Sequence, residues 1–356
     1  MRTKNDIKLG VSLYSYQETY WNRSLDLEGC LTAVAGAGAE GIEIFGEAMI
    51  PDFPFVGDEF LYKWFYMLDN LQLEPVCYEH FADRTFWKDH NRYLDDDGVF
   101  ESTCQYLRTA RKLGCKFIKL SHDGHNGVFI MSAEKSHSVV NAELFERLLP
   151  VAEENGVVMA LEIHGPGRLE DGGNDDFIDV LERTGSQYGK LCLDFSGCFR
   201  DDYPNQVKMQ IQRGANPDCI ELTRAFRRKA FTYTSTDSGP NDVDWSELDA
   251  KLKEMGASPI DLAYAQRARN KMSPPKVIKE YASKLGYIHG KMNWVNEDCT
   301  CDEMDYPLYM KALQEGGYKG YISTEFEGQR IIPGTINEIE LVRRHHILMR
   351  NALGYK

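Results

Sequence analysis

The chain has 356 residues, of which 42% are hydrophobic, and it carries a formal net charge of −14 at pH 7. A chain of this length buries a large core, and α/β barrels of about 250 residues or more form one domain. We therefore expect residues 1–356 to form a single domain. The negative charge argues against nucleic acid or an anionic membrane surface as the main partner, because both would repel the protein.

The cysteines and the N-terminal segment predict a cytoplasmic protein. Nine cysteines are an odd number, and Cys77 and Cys192 lie inside predicted elements, so we expect reduced thiols rather than disulfides. The first residues lead into a strand-like segment without an apolar signal sequence. No run approaches the roughly 18 apolar residues of a membrane span.

Short apolar runs alternate with amphipathic segments along the chain. The predicted strands are 8–15, 41–46, 73–80, 116–122, 157–164, 190–196, 286–292 and 320–326. The predicted helices between them are 26–38, 58–71, 98–113, 142–155, 175–184, 306–316 and 336–352. This order predicts a parallel sheet with helical crossovers. Its eightfold repetition favours a closed (β/α)8 TIM barrel, with an open doubly wound sheet as the alternative.

Glycine recurs where a predicted helix gives way to a strand, which is typical of helix C-caps. The glycines predicted to have this role are Gly38, Gly114, Gly156, Gly189, Gly286 and Gly317. One spacing is irregular, because about 95 residues separate Asp194 from His289. We interpret residues 200–278 as a helical insertion after the sixth strand, placed on the catalytic rim as a lid, substrate wall or subunit contact. A surface embellishment is the alternative.

Four predicted strands end in side chains that bind metals well. Three carboxylates and one imidazole suit a divalent cation such as Mn²⁺, Mg²⁺ or Zn²⁺. The strand ends of a parallel barrel share one rim, and strand alternation places each of these side chains opposite its apolar neighbours. A lone acid at a strand end is more often a helix cap or a solvated residue, so the prediction depends on the complete set. The predicted ligands are Glu162, Asp194, His289 and Glu325.

Several polar residues near these strand ends are candidates for catalysis. His164 shares a strand face with Glu162 and is the first candidate for the general base. The further candidates are His122, His125, Lys291 and Glu327, with Lys291 expected to hold a substrate oxygen. Alternatively, His122 and His125 belong to a polar loop without a catalytic role, and Glu327 caps the last loop. His80 could also line the pocket.

The motifs that carry these residues resemble those of the xylose-isomerase-like barrel superfamily, the sugar phosphate isomerase/epimerase proteins. The matching segments are LGVSLYSY, GAGAEGIEIFGE, MALEIHG, LCLDFSG, YIHGKMN and GGYKGYISTEFEG. The resemblance implies that the four predicted ligands hold the family's metal, that His164 contacts substrate and that Lys291 is the family's motif lysine. Gly197 departs from the pattern, because many members have histidine there. The departure counts against the DNA-repair branch, which needs more histidines for its zinc ions.

Three further segments, GEAMIPDFPFVGDEF, LEPVCYEHF and NRYLDDDG, resemble the metal-binding subunit of bacterial C-glycoside deglycosidases. This resemblance implies a lyase that cleaves the C-glycosidic bond of a 3-oxo-C-glucoside, with Mn²⁺ as the preferred metal and Mg²⁺, Co²⁺ or Zn²⁺ as alternatives. It also implies a small β-rich partner subunit in a hetero-oligomer. A homo-oligomeric ketose isomerase or epimerase and a non-catalytic sugar-binding barrel are the other hypotheses.

Overall fold

The computed structural model describes residues 7–81, 94–121, 137–165, 167–330 and 336–355. Eight parallel strands close into a barrel in which each strand pairs with its neighbours in the sequence and the last pairs with the first. The prediction of a (β/α)8 barrel is confirmed. The strands are β1 Lys8–Ser12, β2 Gly41–Ile44, β3 Glu74–Phe81, β4 Phe117–Ser121, β5 Val158–Ile163, β6 Gly189–Asp194, β7 Leu285–Met292 and β8 Tyr321–Phe326.

Helices follow the strands and surround the barrel. From the N-terminus to β6 they are α1 Gln17–Trp21, α2 Leu27–Gly36, α3 Gly46–Met49, α4 Asp58–Leu71, α5 Asp96–Lys112, α6 His137–Asn155 and α7 Asp175–Thr184. Between β6 and β7 lie α8 Pro204–Gln212, α9 Pro217–Phe231, α10 Trp245–Glu254, α11 Pro259–Ala268 and α12 Pro275–Tyr281. The last two are α13 Tyr306–Glu315 and α14 Glu338–Ala352. No helix in the described ranges is both long and apolar enough to cross a membrane.

The two faces of each strand serve different cores. The outward-facing residues, such as Leu161, Leu193 and Ile288, join the large apolar core between barrel and helices. A smaller cluster fills the barrel interior, where Ala160 and Tyr287 are fully buried. Towards the carboxyl ends of the strands the interior positions are occupied by polar and charged residues. The alternation of the strand faces continues there, so these side chains also point into the barrel.

The glycine prediction is only partly correct. Four of the predicted caps have the left-handed backbone that favours glycine, namely Gly38, Gly114, Gly156 and Gly317. Gly189 and Gly286 are not caps, because they lie within β6 and β7. A Cβ atom on Gly286 would come 2.7 Å from the Lys190 Cβ, so close packing of adjacent strands explains this glycine. The cap of α7 is instead Gly185, with φ +59°.

Candidate metal centre

The four predicted metal ligands converge inside the carboxyl end of the barrel. Glu162 comes from β5, Asp194 from β6, His289 from β7 and Glu325 from β8, and all four are buried. One ligand atom from each lies within 4.8 Å of the others. The strand register brings them together, since Asp194 pairs with His289 and Lys291 pairs with Glu325. The predicted inward-facing set therefore shares one site.

The geometry of this cluster fits a divalent cation. His289 Nδ1 lies 2.9 Å from Glu162 Oε1, 2.9 Å from Glu325 Oε2 and 3.8 Å from Asp194 Oδ2. His289 Nδ1 and Asp194 Oδ2 are nevertheless buried without a hydrogen-bond partner among the described residues. Buried polar atoms normally have hydrogen-bond partners. Buried ligand atoms that converge without such partners are the arrangement expected of a metal site.

Glu43 orients the histidine of this cluster. His289 Nε2 donates to the Glu43 carboxylate, at 3.0 Å from Oε1 and 2.9 Å from Oε2. With one proton kept on Nε2 by Glu43, the Nδ1 lone pair would be available to a metal ion, as in carboxylate–histidine–metal arrangements. Glu43 was not among the predicted site residues, although the fragment GIEIFG places a glutamate on the interior face of β2.

Lys119 and Glu79 support Glu162 in a second buried network that the sequence analysis also missed. Lys119 Nζ lies 3.1 Å from Glu162 Oε2 and 3.0 Å from Glu79 Oε1, and Ser121 Oγ donates to Glu162 Oε2 at 3.1 Å. Lys119 holds the Glu162 oxygen that does not face His289, so the other oxygen remains directed at the cluster. Burial raises the pKa of Glu79 to about 8, and the neighbouring Glu43 charge adds to this rise while Lys119 opposes it.

Lys291 and Glu327, both predicted, lie beside the cluster. Lys291 Nζ is 2.9 Å from Glu325 Oε2, 2.9 Å from Glu327 Oε2 and 3.5 Å from Asp194 Oδ2. Tyr14 Oη donates to Glu327 Oε1 at 3.1 Å. The ammonium group therefore bridges two cluster carboxylates to a third carboxylate, that of the residue directly after β8.

Acidic side chains outnumber basic ones at this end of the barrel. Burial alone would raise the pKa of Asp194 and of Glu325, yet the Lys291 charge and the adjacent His289 side chain lower both values to about 2. Buried charge of one sign is costly unless it is neutralised, and a divalent cation would supply the missing positive charge. The acids are Glu43, Glu79, Glu162, Asp194, Glu325 and Glu327, facing the bases Lys119, Lys291 and His289.

The predicted histidines have different outcomes. His164 lies at the cluster, with Nε2 3.9 Å from Asp194 Oδ2 and its side chain 24% exposed. Its Nδ1 donates to the Gly165 carbonyl oxygen at 2.7 Å. His122 and His125 fall outside the residues that the structure describes.

His80 does not line this site, contrary to the sequence-based suggestion. Its ring stacks on Tyr106 of α5 at a centroid distance of 4.0 Å, on the side of β3 opposite Glu79. Burial lowers the pKa of His80 to about 3, with Lys119 adding to the effect. The residue therefore remains neutral in the layer between barrel and helices, because strand alternation permits only one of two adjacent residues to face the interior.

The fold and the cluster define a closed α/β barrel with a candidate metal centre at its catalytic end. Residues 31–350 match the family model of the xylose isomerase-like TIM barrel. The chain belongs to that family, which confirms the resemblance found in the motifs. The prediction of an enzyme fold is likewise confirmed.

Two curated relatives align along nearly the whole chain. The C-glycoside deglycosidase alpha subunit of Arthrobacter globiformis is 27% identical over 356 residues, covering 98% of this chain and 92% of the relative. The 3'-dehydrocarminate deglycosidase alpha subunit of a Microbacterium species is 25% identical and covers 98% of this chain and 95% of the relative.

The solved structure of D-psicose 3-epimerase from Clostridium cellulolyticum H10 with D-tagatose is also similar in fold. It has a TM-score of 0.56 and 16% identity, and the match covers 98% of this chain and 99% of that one. At this identity the likeness concerns the fold alone.

Proposed function

We propose that the protein is the metal-binding subunit of a C-glycoside deglycosidase that cleaves the C-glycosidic bond of a 3-oxo-C-glucoside. The observation that carries this proposal is the set of four converging ligand atoms in a chain related over 98% of its length to a C-glycoside deglycosidase alpha subunit. We further propose a small β-rich second subunit, since both relatives are named alpha subunits. A cytoplasmic location accords with the reduced cysteines.

The four ligands would hold a divalent cation, with Mn²⁺ as the first choice for an oxygen-rich set and Mg²⁺, Co²⁺ or Zn²⁺ as alternatives. Such a cation supplies Lewis acidity that polarises a sugar carbonyl and a neighbouring hydroxyl. Glu43 and Lys119 keep two of the ligands in place through the contacts described above.

His164 has the best position for the general base among the described candidates. Its Nδ1 proton is engaged by the Gly165 carbonyl, so Nε2 is the basic nitrogen, and Nε2 is the atom near Asp194. In a 3-oxo-C-glucoside, this base would take the proton from C2, and the electron pair of the C2–H bond would form the enolate with the C3 carbonyl. Lys291 and Glu327 lie where substrate hydroxyls would be held.

The leaving group departs in the second half of the reaction. When the enolate collapses, a C1–C2 double bond forms, and the C1–aryl bond breaks with its electron pair passing to the aryl carbon. That carbon then takes a proton, which the protonated base can return. The products are the free aglycone and an unsaturated 3-oxo sugar, with no oxidant or reductant consumed.

The experiment compares the purified chain, with and without a small partner subunit encoded beside it, on a 3-oxo-C-glucoside in the presence of Mn²⁺. Chromatography should detect free aglycone, and the Glu162→Gln variant should release none. A ketose that is isomerised or epimerised without aglycone release would contradict the lyase and support the isomerase alternative. Turnover by the variant equal to that of the unchanged chain would contradict the metal centre itself.

A further inference from the structure

A cavity adjoins the candidate metal centre and has no part in the reaction steps proposed for it. It has a volume of about 280 Å³. Its lining comes partly from the residues that follow β5 and β6, and partly from helices α9 and α11. We call it the rim cavity. Its wall is bonded to a metal ligand, because Gly165 N donates to Ser196 Oγ at 2.9 Å and Ser196 N donates to Asp194 Oδ1 at 2.6 Å. A group bound there would therefore lie beside the sugar site.

The rim cavity gathers positive charge in a strongly acidic protein. Arg224 and Arg267 line it but are neutralised by Asp201 and Asp202, at 2.7 Å and 3.4 Å. Four basic residues line the cavity against three acids, and the third acid, Glu303, has its pKa raised to about 8 by burial. At neutral pH the lining therefore has an excess of positive charge.

Two cations of the lining form no close ion pair among the described residues, although the charges of Asp202 and Asp201 act on Arg227 from a greater distance. Arg227 donates to the carbonyl oxygens of Phe199 at 2.6 Å, Ala268 at 2.7 Å and Asn270 at 3.0 Å. These bonds fix the guanidinium in place without cancelling its charge. Lys271 lines the cavity from an exposed position and forms no ion pair within the described ranges. A fixed cation and an exposed one in the same cavity are suited to an anionic ligand group.

The remaining walls suit a flat ring. Tyr264, Met272 and Phe199 supply apolar and aromatic surface, and the first two are buried. Gly165 and Gly197 face them, so the backbone itself forms one side. A cavity of this size exceeds the roughly 150 Å³ that holds a benzene ring and falls just below the range of small-ligand pockets.

We propose that the rim cavity binds the aglycone of the substrate through an anionic substituent on its aromatic ring, a carboxylate or an ionised phenol, which Arg227 and Lys271 recognise. The proposal rests on the proposed function, because it assumes a substrate that carries an aryl aglycone next to the sugar. It assigns residues 200–278 a part in substrate selection: they supply the basic wall that the barrel strands lack.

The cavity can be tested without turnover. Binding of 2-naphthoate and of its neutral counterpart 2-naphthalenemethanol to the purified full chain is measured by calorimetry. We expect the naphthoate to bind about 10-fold more tightly, in line with the strength of hydrogen bonds to charged groups. The Lys271→Gln variant should lose about 3- to 10-fold in naphthoate affinity and keep its affinity for the alcohol. The exposed Lys253→Gln is the matched control.

Equal affinity for the acid and the alcohol, or a naphthoate affinity that Lys271→Gln leaves unchanged, would overturn the proposal. The Arg227→Lys variant gives a second test, because it keeps the charge and loses the forked geometry, and it should weaken naphthoate binding as well. For a 3-oxo-C-glucoside with a carboxylated aglycone, the Lys271→Gln variant should have a higher KM than the unchanged chain and the same kcat. Naphthoate binding without any aglycone release would contradict only the proposed function, so the two failures are distinguishable.

Discussion

The metal centre and the rim cavity lie side by side but differ in the sign of their charge and in the elements that carry it. The metal centre places acids on rigid neighbouring strands, so that register alone brings the ligand atoms within 4.8 Å. The rim cavity places cations on helices and loops after β6, where Arg227 is held by backbone carbonyls. A chain with a net charge of −14 would therefore attract a cation at one site and an anion at its neighbour.

The largest expected effect comes from breaking the acidic side of this comparison with Asp194→Asn. Structural zinc sites with four ligands have binding free energies of about 10–16 kcal/mol, which corresponds to about 2.5–4 kcal/mol for each ligand. We expect Mn²⁺ affinity, measured by competition with a chelator, to fall by roughly 100- to 1000-fold, and aglycone release to disappear.

Asparagine keeps the oxygen that accepts from Ser196 N, so the wall of the rim cavity should survive this substitution. Naphthoate binding should therefore remain unchanged in Asp194→Asn, and the exposed Asp242→Asn should behave as the unchanged chain in both measurements. Loss of naphthoate binding together with metal binding would show that the two regions are not independent.

A smaller effect is expected from Glu43→Ala, which removes the partner of His289 and leaves all four ligands present. Partners of metal-bound histidines contribute about 10- to 100-fold in metal affinity. We expect a loss in that range by the same chelator competition, and a smaller loss for Glu43→Gln, which retains an acceptor. Identical affinities in the unchanged chain and in Glu43→Ala would show that His289 needs no such partner.

The smallest effect, taken per pH unit, concerns the pH dependence of stability and the charge of the rim cavity. The pKa of Glu303 is raised to about 8 by burial, although bonds from Asn293 oppose the rise. Between about pH 4.5 and pH 8 the folded chain therefore holds a proton that the unfolded chain has released. This group makes the free energy of unfolding decrease as pH rises through that range, by at most about 1.4 kcal/mol per pH unit.

The Glu303→Gln variant should lose this contribution and gain stability relative to the unchanged chain as pH rises towards 8. Urea denaturation at several pH values provides the measurement, with the exposed Glu28→Gln as the control. Parallel stability curves for Glu303→Gln and the unchanged chain would mean that Glu303 is ionised in the fold, and the excess positive charge of the rim cavity would then be smaller.

The residues whose position was predicted correctly are those whose position depends on local pattern. Glu162, Asp194, His289 and Glu325 each follow an apolar run, and alternation within one strand was enough to place them on the interior face. His80 was misplaced although the same alternation contained the answer, since its neighbour Glu79 occupies the interior.

The supporting residues were missed because their roles depend on distant strands. Glu43 meets His289 across 246 positions of the chain, and Lys119 joins Glu79 of β3 to Glu162 of β5. Each is a single charged residue in a short strand, which alone does not specify a partner. Closure of the barrel is what brings them together.

The amino-acid sequence by itself determined the eight strands, the order of the longer helices and the interior position of the four candidate ligands, because periodicity and alternation act over a few neighbouring residues. Only the tertiary structure decided which groups orient those ligands and where Arg227 and Lys271 lie relative to them. The physical reason is the sequence separation over which each effect acts. A strand determines which face its own side chains occupy, whereas a buried charge finds its partner only when segments far apart in the chain pack together.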